Sequence, residues 1–467
     1  RQRQMCIRDS RQIYFGVPFP VWYCKKCDNV ILAKENDLPV DPLHVSPPIK
    51  QCPKCKSKEF VPEKDIINTW ATSSLTPQIA ASLFPKFFNK LFPMSLRPQA
   101  HDIISFWLFN TVVKSHLEFD KNPWHDVMIS GWALDPHGKK MSKSKGNVIE
   151  PQVMIEKYCA DALRYWSAGC KLGEDVPFKE KDLVTGQKFI TKLWNASRFV
   201  FMHLEDCDKE KIYYPSEIMD KWIISRLSEV IKEATDFFDV YEYAKAKHVV
   251  EKFFWQDFCD NYLELVKSRV YNGAKQEKES AFYTLYNSLL TILKLIAPIM
   301  PFVTEEIWQK LPVEGKALVV AGYPGPDKSF EDRESEDFVN MLKDIIVEVR
   351  TIRSENHIVP QRKIDLIVIS ADENIKDKIL RHKEYICSLA SVKDIEVSER
   401  FPSGKKLLKG VAGNVELAIP IESGLIDFKV EKKRLERELQ KITGDIEKLQ
   451  KRMRSKDFIE RAPEKVI

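Results

Sequence analysis

The sequence has 467 residues, 44% hydrophobic and 30% charged, which is enough apolar material for about two to four cored domains. Its 73 basic and 68 acidic side chains nearly cancel to a net charge of +5, so any polyanion site has to come from local clustering. No run of about 18 apolar residues occurs, which argues against a membrane-spanning helix, and the expectation is a cytoplasmic protein with no membrane partner.

Residues 1–10, RQRQMCIRDS, carry no hydrophobic pattern and are set aside as a non-native or unassignable leader. Residues 11–60 are rich in Pro, Cys and Lys, and runs such as VPFPVWYC read as short strands between turns. HDIISFWLFNTVVKSHLEF has helical spacing and little polarity, which predicts a largely buried helix. DVMISGWAL reads as a buried strand and PQVMIEKYCADALRYWSAG as one helix. Strand, loop and helix in that order predict an α/β layout over residues 11–186, where ligand loops lie past the carboxyl ends of strands.

Residues 187–325 turn almost wholly helical. Ile223, Leu227, Val230, Ala234 and Phe237 step by four and three, and Val250, Phe254, Phe258, Tyr262 and Leu265 mark a second apolar stripe, so a helical bundle is expected. APIMPFVTEEIW reads as a helix start with Thr304 as N-cap and Glu305 and Glu306 in the first turn. LPVEGKALVVAGYPGPDK is a connector rich in Gly and Pro. Residues 336–425 combine one helix, FVNMLKDIIVEVRTIRSE, with strands KIDLIVIS and NVELAIPI, a small α/β domain. In residues 427–467, Leu435, Leu439, Ile442, Ile446, Leu449 and Met453 alternate steps of four and three, the seam of the first arm of a coiled coil.

Four of the ten cysteines form two C-x-x-C pairs, Cys24 with Cys27 and Cys52 with Cys55. Each pair puts two thiolates on one side of a turn, and two such turns close an S4 tetrahedron suited to a structural Zn2+ in a zinc knuckle over residues 22–58. Ordinary buried or redox thiols are the competing reading. The remaining six cysteines are scattered, as in a reduced compartment.

DPHGKKMSKSKGN, residues 135–147, places Lys139, Lys140, Lys143 and Lys145 within seven residues. It reads either as a solvated basic turn or as a phosphate clamp. Lysines on a loop hinged at Gly138 and Gly146 can close on a departing pyrophosphate as its charge builds up.

KMSKS, Lys140 to Ser144, is identical to the second signature loop of class I aminoacyl-tRNA synthetases. The D-x-x-G lead-in from Asp135 to Gly138, the GN exit, the ADALRYW helix and WQDFCDNYLELVK resemble the subgroup for valine, isoleucine and leucine. NTWATSSLTPQ is similar to the DTW-x-SS segment of the valyl branch, and HDIISFW to its DII-x-x-W helix. The resemblance implies a multidomain α/β plus all-α protein. Its parts would be the second half of a Rossmann-like catalytic domain (11–186), an anticodon-binding helical bundle (187–325), the small α/β domain and the coiled-coil arm.

The activity it implies is activation of valine by ATP with Mg2+ and transfer to tRNA(Val). No extra interface segment stands out, so a monomer is the default expectation. Lys140 and Lys143 would be catalytic, and Asp102, Lys140, Met141, Ser142, Lys143 and Ser144 would bind ATP, Asp102 through the ribose. Trp70, Ile103 and Trp107 would wall a small dry slot for the side chain, too small for larger residues but unable to reject threonine strongly. Plain core packing is the alternative for these three. From Lys429 to Lys456 there are 11 basic and 5 acidic side chains, an excess that could track tRNA phosphates, and SKDFIERAPEKVI resembles the turn of a coiled-coil hairpin. No HIGH-type first signature loop or editing domain is found, so the expectation is a carboxyl-terminal fragment, inactive alone. An isoleucyl-type enzyme and a non-catalytic tRNA-binding factor derived from a synthetase are the alternatives.

Overall fold

Proline and cysteine punctuation keeps the first strands short. The computed structural model describes residues 16–204, 214–312, 315, 317–359, 361–421 and 428–453. The leader at 1–10 and the SKDFIERAPEKVI segment lie outside the described residues. Two compact units result: one of residues up to Phe189 with Phe237–Ala246, the other of Ile190–Asp236 with the chain from Lys247 on.

In the first unit, Val21–Cys24 is the centre of a three-stranded antiparallel sheet with Val30–Leu32 and Phe60–Pro62. Its alternation turns Trp22 and Cys24 inward, and the Trp22 indole Nε1 donates to Val45 O at 3.1 Å. Met94–Ala100 pairs in parallel with Trp124–Ser130 across a helical crossover, the βαβ arrangement that leaves loops at the strands' carboxyl ends.

That crossover departs from the expected buried helix. It is a 3-10 turn at His101–Ile103, a π-helical turn at Ile104–Leu108 and an α-helix at Phe109–Phe119. Its inward stripe is Trp107, Thr111 and Ser115, while Phe109 and Leu117 are 61% and 78% exposed. The small hydroxyl residues allow close approach because both are satisfied locally, Thr111 by Trp107 O and Ser115 by Lys121 O. DVMISGWAL is likewise no single buried strand. His125, Asp126 and Val127 are exposed, and pairing stops at Ser130 before resuming at Ala133–Leu134. The expected single helix after the lysine loop is two, Pro151–Tyr158 and Ala160–Ser167, broken where Cys159 takes φ 75°.

The second unit is built from helices including Ile218–Asp239 as far as Asp236, Leu263–Asn272, Lys275–Ile296 and Pro301–Trp308. The four-three stripe is buried as expected at Ile223, Leu227, Val230 and Ala234. The second stripe folds differently: Phe253–Tyr262 is a π-helix. Its wider turn keeps residues four apart on one face, so Phe254, Phe258 and Tyr262 stack at successive centroid distances of 6.4 and 6.2 Å. Thr304 is not an N-cap. The helix begins at Pro301 after Met300, and the buried Thr304 hydroxyl donates back to Met300 O at 2.8 Å. A proline at the first position supplies the start instead.

The same unit holds a four-stranded sheet in the order Val392–Ser398, Ile364–Ile369, Val415–Pro420, Leu407–Ala412, with the helix Arg333–Glu355 capped by Asp332. The first and last of these strands were not anticipated. A buried polar knot joins four helices: Asp220 accepts both Arg269 guanidinium nitrogens at 2.6 and 2.7 Å, the Tyr262 hydroxyl at 2.6 Å and the Ser280 hydroxyl at 2.5 Å. Phe428–Met453 is one helix, on which Leu439, Ile442, Ile446 and Leu449 are exposed.

Candidate active site

Both parallel strands end at the same place. The first runs into the 3-10 turn that carries Asp102, the second into Gly131 and Trp132. Gly131 is required there, since a Cβ would sit 2.0 Å from Glu174 O. Trp132 N donates to Asp175 Oδ1 at 2.7 Å and Trp132 O accepts from Val176 N at 2.9 Å. The chain then pairs Ala133–Leu134 in parallel with Val176–Pro177 and enters the lysine loop.

The loop is cross-braced from its ends. Asp135 is buried, and its Oδ1 accepts from His137 N at 2.9 Å and Lys139 N at 2.8 Å. Its Oδ2 accepts from the Asn147 side-chain amide at 2.9 Å, and Asn147 Oδ1 accepts from Ser142 N at 2.9 Å. Gly138 and Gly146 take φ 75° and 67°, the left-handed region glycine enters without strain. Met141 is anchored through its sulfur, which accepts from Ile149 N at 3.4 Å, and the Ser142 and Ser144 hydroxyls meet at 2.8 Å. Lys143–Lys145 forms a 3-10 turn with both lysines exposed.

The structure brings Asp102 and the loop together: Lys140 Nζ lies 3.6 Å from Asp102 Oδ2 and 3.5 Å from the centre of the Trp132 ring. The bracing pair Asp135 and Asn147 was not assigned a role from sequence, although both stand in the D-x-x-G and GN frame around the signature. The hydrogen bond from Asn147, then those from Lys139 and His137, hold the Asp135 carboxyl below its ordinary value, against burial. A depressed folded-state pKa gives a contribution that is present above the unfolded value of about 3.9 and lost as pH falls through the folded value. The protection of the His137, Lys139 and Ser142 amides against hydrogen exchange, measured relative to the unfolded chain at each pH, is therefore expected to hold from neutral pH to about pH 4 and to fall below it. Protection unchanged down to pH 2 would refute the clasp.

The three expected pocket residues are distributed differently. Trp70 is 39% exposed and stacks on Phe106 at 6.3 Å, and Ile103 is half-buried. Trp107 lies in the core, parallel to Trp124 at 5.5 Å with the Arg97 guanidinium 4.1 Å over its ring. Its Nε1 donates to Ser73 O at 3.0 Å and so ties down the short helix Thr69–Ser73 that carries Trp70.

The four cysteines converge, with all Sγ atoms within 4.8 Å of one another, Cys24 to Cys55 at 3.4 Å and Cys27 to Cys52 at 3.7 Å. The two knuckles repeat each other. Asp28 N donates to Cys24 O and Lys56 N to Cys52 O, with Asp28 and Lys56 at φ 53° and 62°. Burial opposes the Cys24 thiolate, but the Lys26 and Cys27 amides and the Cys55 thiol outweigh it and bring its pKa down to about 6. This set can hold a metal ion.

Residues 2–179 match the family model "tRNA synthetases class I (I, L, M and V)", residues 220–368 "Anticodon-binding domain of tRNA ligase" and residues 427–467 "Valyl tRNA synthetase tRNA binding arm". The valine--tRNA ligase of Thermoplasma volcanium is 40% identical over 397 residues, covering 84% of this chain and 50% of that protein. That of Wolbachia sp. subsp. Brugia malayi is 41% identical over 410 residues, covering 85% and 47%. The chain thus spans about half the length of the curated relatives it matches. The crystal structure of a ternary complex of Agrobacterium radiobacter LeuRS with tRNA and LeuAMS aligns with a TM-score of 0.54 at 17% identity, over 88% of this chain and 50% of that one, a likeness of fold. With the signature loop seated at the carboxyl ends of parallel strands and three synthetase models matched in order along it, the chain belongs to the class I tRNA synthetases.

Proposed function

We propose that the protein activates valine with ATP and transfers it to tRNA(Val). The observation that carries this reading is the pairing of Lys140 with Asp102 at 3.6 Å, a phosphate-type cation beside a ribose-type carboxylate at the carboxyl ends of parallel strands. Asp102 accepts from the ribose hydroxyls of ATP, and Lys140 and Lys143 face its phosphates with Met141, Ser142 and Ser144 shaping the loop. Valine's carboxylate oxygen bonds to the α-phosphorus, the bond to the β-phosphate oxygen breaks, and pyrophosphate leaves with its charge met by the lysines. ATP arrives with Mg2+, which supplies further charge neutralisation. The terminal ribose hydroxyl of tRNA then takes the valyl group and AMP departs.

Trp70 and Ile103 line the side-chain slot, and Trp107 sets its depth through the helix it holds. The helix Phe428–Met453 is the first arm of a coiled coil whose basic face meets tRNA phosphates. Valine-dependent exchange of pyrophosphate into ATP by the complete gene product tests the reading. Exchange supported by isoleucine and not by valine would replace it with an isoleucyl enzyme, and absence of exchange with any amino acid would leave a tRNA-binding factor.

Cys24, Cys27, Cys52 and Cys55 hold a structural Zn2+, since sulfur separations of 3.4 and 3.7 Å suit tetrahedral bonds of about 2.3 Å and four thiolates leave no open position. One zinc per chain is expected by elemental analysis, falling below about 0.1 in Cys52→Ser. A strong chelator should make the segment from Trp22 to Lys58 readily cleaved by protease while the helices of the second unit stay protected. A metal-free chain with the same cleavage pattern would show that the thiols hold the knuckle unaided.

A further inference from the structure

Trp132 has no part in the lysine signature or in the ribose contact, yet its position is heavily determined. Its backbone is fixed on both sides, by Asp175 Oδ1 on its N–H and by Val176 N on its carbonyl, and the residue before it tolerates no side chain. Its ring packs against His101 at 4.4 Å between centroids. The indole Nε1 is buried with no hydrogen-bond partner among the described residues, so the ring is engaged through its faces and not its polar edge. Lys140 Nζ stands 3.5 Å from the ring centre, the only contact of this kind by a loop lysine among the described residues.

We propose that Trp132 is a positioning residue for Lys140, keeping the loop lysine aimed at the nucleotide once Asp102 has been drawn to the ligand. The inference deepens the proposed function and rests on it. Lys140 has two partners, the Asp102 carboxylate at 3.6 Å and the Trp132 face at 3.5 Å. Ribose hydroxyls compete for the first. They leave the second alone, because a ring face attracts a cation without accepting its N–H bonds in fixed directions. The ammonium therefore stays in place and keeps donors free for phosphate oxygens. A lysine tethered only to Asp102 would be released at the moment it is needed. The Asp135–Asn147 clasp braces the loop's ends, and the indole fixes the tip of this one side chain.

The test is a series at position 132. Mono-, di- and trifluorotryptophan keep the shape of the indole while weakening its face. Trp132→Phe keeps an aromatic face, and Trp132→Leu removes it. In the complete gene product, kcat for pyrophosphate exchange is expected to fall stepwise with fluorination, by about 5- to 20-fold in total, while KM for valine stays within about twofold. Trp132→Phe should retain activity within about threefold and Trp132→Leu should fall at least as far as the trifluoro protein. Independently of catalysis, tryptic cleavage between Lys139 and Lys145 in the 467-residue chain should speed up in the same order. A kcat flat across the fluorinated series, or Phe as poor as Leu, would overturn the proposal. So would cleavage rates indifferent to the ring, even in a protein that exchanges pyrophosphate with no amino acid, a result that would by itself refute only the functional reading.

Discussion

Replacing Lys143 by Ala in the complete gene product is expected, on the proposed function, to lower the rate of adenylate formation by about 100- to 1000-fold, with the apparent affinity for valine unchanged within about twofold. Lys143 is exposed and opens the 3-10 turn Lys143–Lys145 at the loop's apex, whereas Lys140 is docked on Asp102 and Trp132. An exposed cation on a braced loop costs little to hold and gains most when the leaving pyrophosphate develops its full charge. Its loss is felt in the transition state and much less in the ground state. The bracing by Asp135 and Asn147 does not involve the Lys143 side chain, so the variant should keep the loop's shape. Single-turnover measurement of valyl-adenylate formation at saturating ATP checks this. A rate within threefold of the native value would remove the clamp from the mechanism, whatever happened to KM.

The largest effect on stability should come from Asp220. Its carboxylate is fully buried and accepts from Arg269 twice, from Tyr262 and from Ser280, which ties together the helices Ile218–Asp239, Leu263–Asn272 and Lys275–Ile296 and the π-helix Phe253–Tyr262. Burial and then the nearby Asp220 charge hold the Tyr262 phenol well above its ordinary range, so it remains a donor at any pH the protein meets. Asp220→Ala leaves the Arg269 guanidinium buried without its counter-charge and two hydroxyls without an acceptor. The expected cost is about 3–5 kcal/mol, seen as a drop of roughly 6–20 °C in the melting temperature of the second unit. The double variant Asp220→Leu with Arg269→Met should recover part of that loss, because paired apolar replacements restore packing without stranding a charge. If the double variant is no more stable than Asp220→Ala, the cost lies in packing and the ion-pair account fails.

Much of this protein was legible in linear form because several of its signals are local. Two C-x-x-C turns carry their own geometry, and the two knuckles fold alike with Asp28 and Lys56 in the left-handed region. A four-three stripe such as Ile223 to Ala234 buries itself on any partner. The lysine loop announced itself by charge density and its two glycines.

Where the reading failed, the deciding partner was remote. The crossover helix looked buried all round because Phe109, Val113 and Leu117 are apolar, yet its contact face is Trp107, Thr111 and Ser115. Hydroxyls can win a buried face once each has a carbonyl within reach, which no hydropathy pattern records. Thr304 has the chemistry of an N-cap, but Pro301 begins the helix three residues earlier.

By itself, then, the sequence determined the metal-type cysteine set, the helical bundle, the signature loop and the family that loop points to. These rest on spacing and periodicity, which the backbone converts to geometry without distant help. Only the tertiary structure decided which groups meet: Lys140 with Asp102 and Trp132, Asp135 with Asn147, and Asp220 with Arg269 across 49 positions. The reason is that a buried or braced polar group is specified by its partners. Those partners come from other strands and helices, and their distances exist only once the elements have packed.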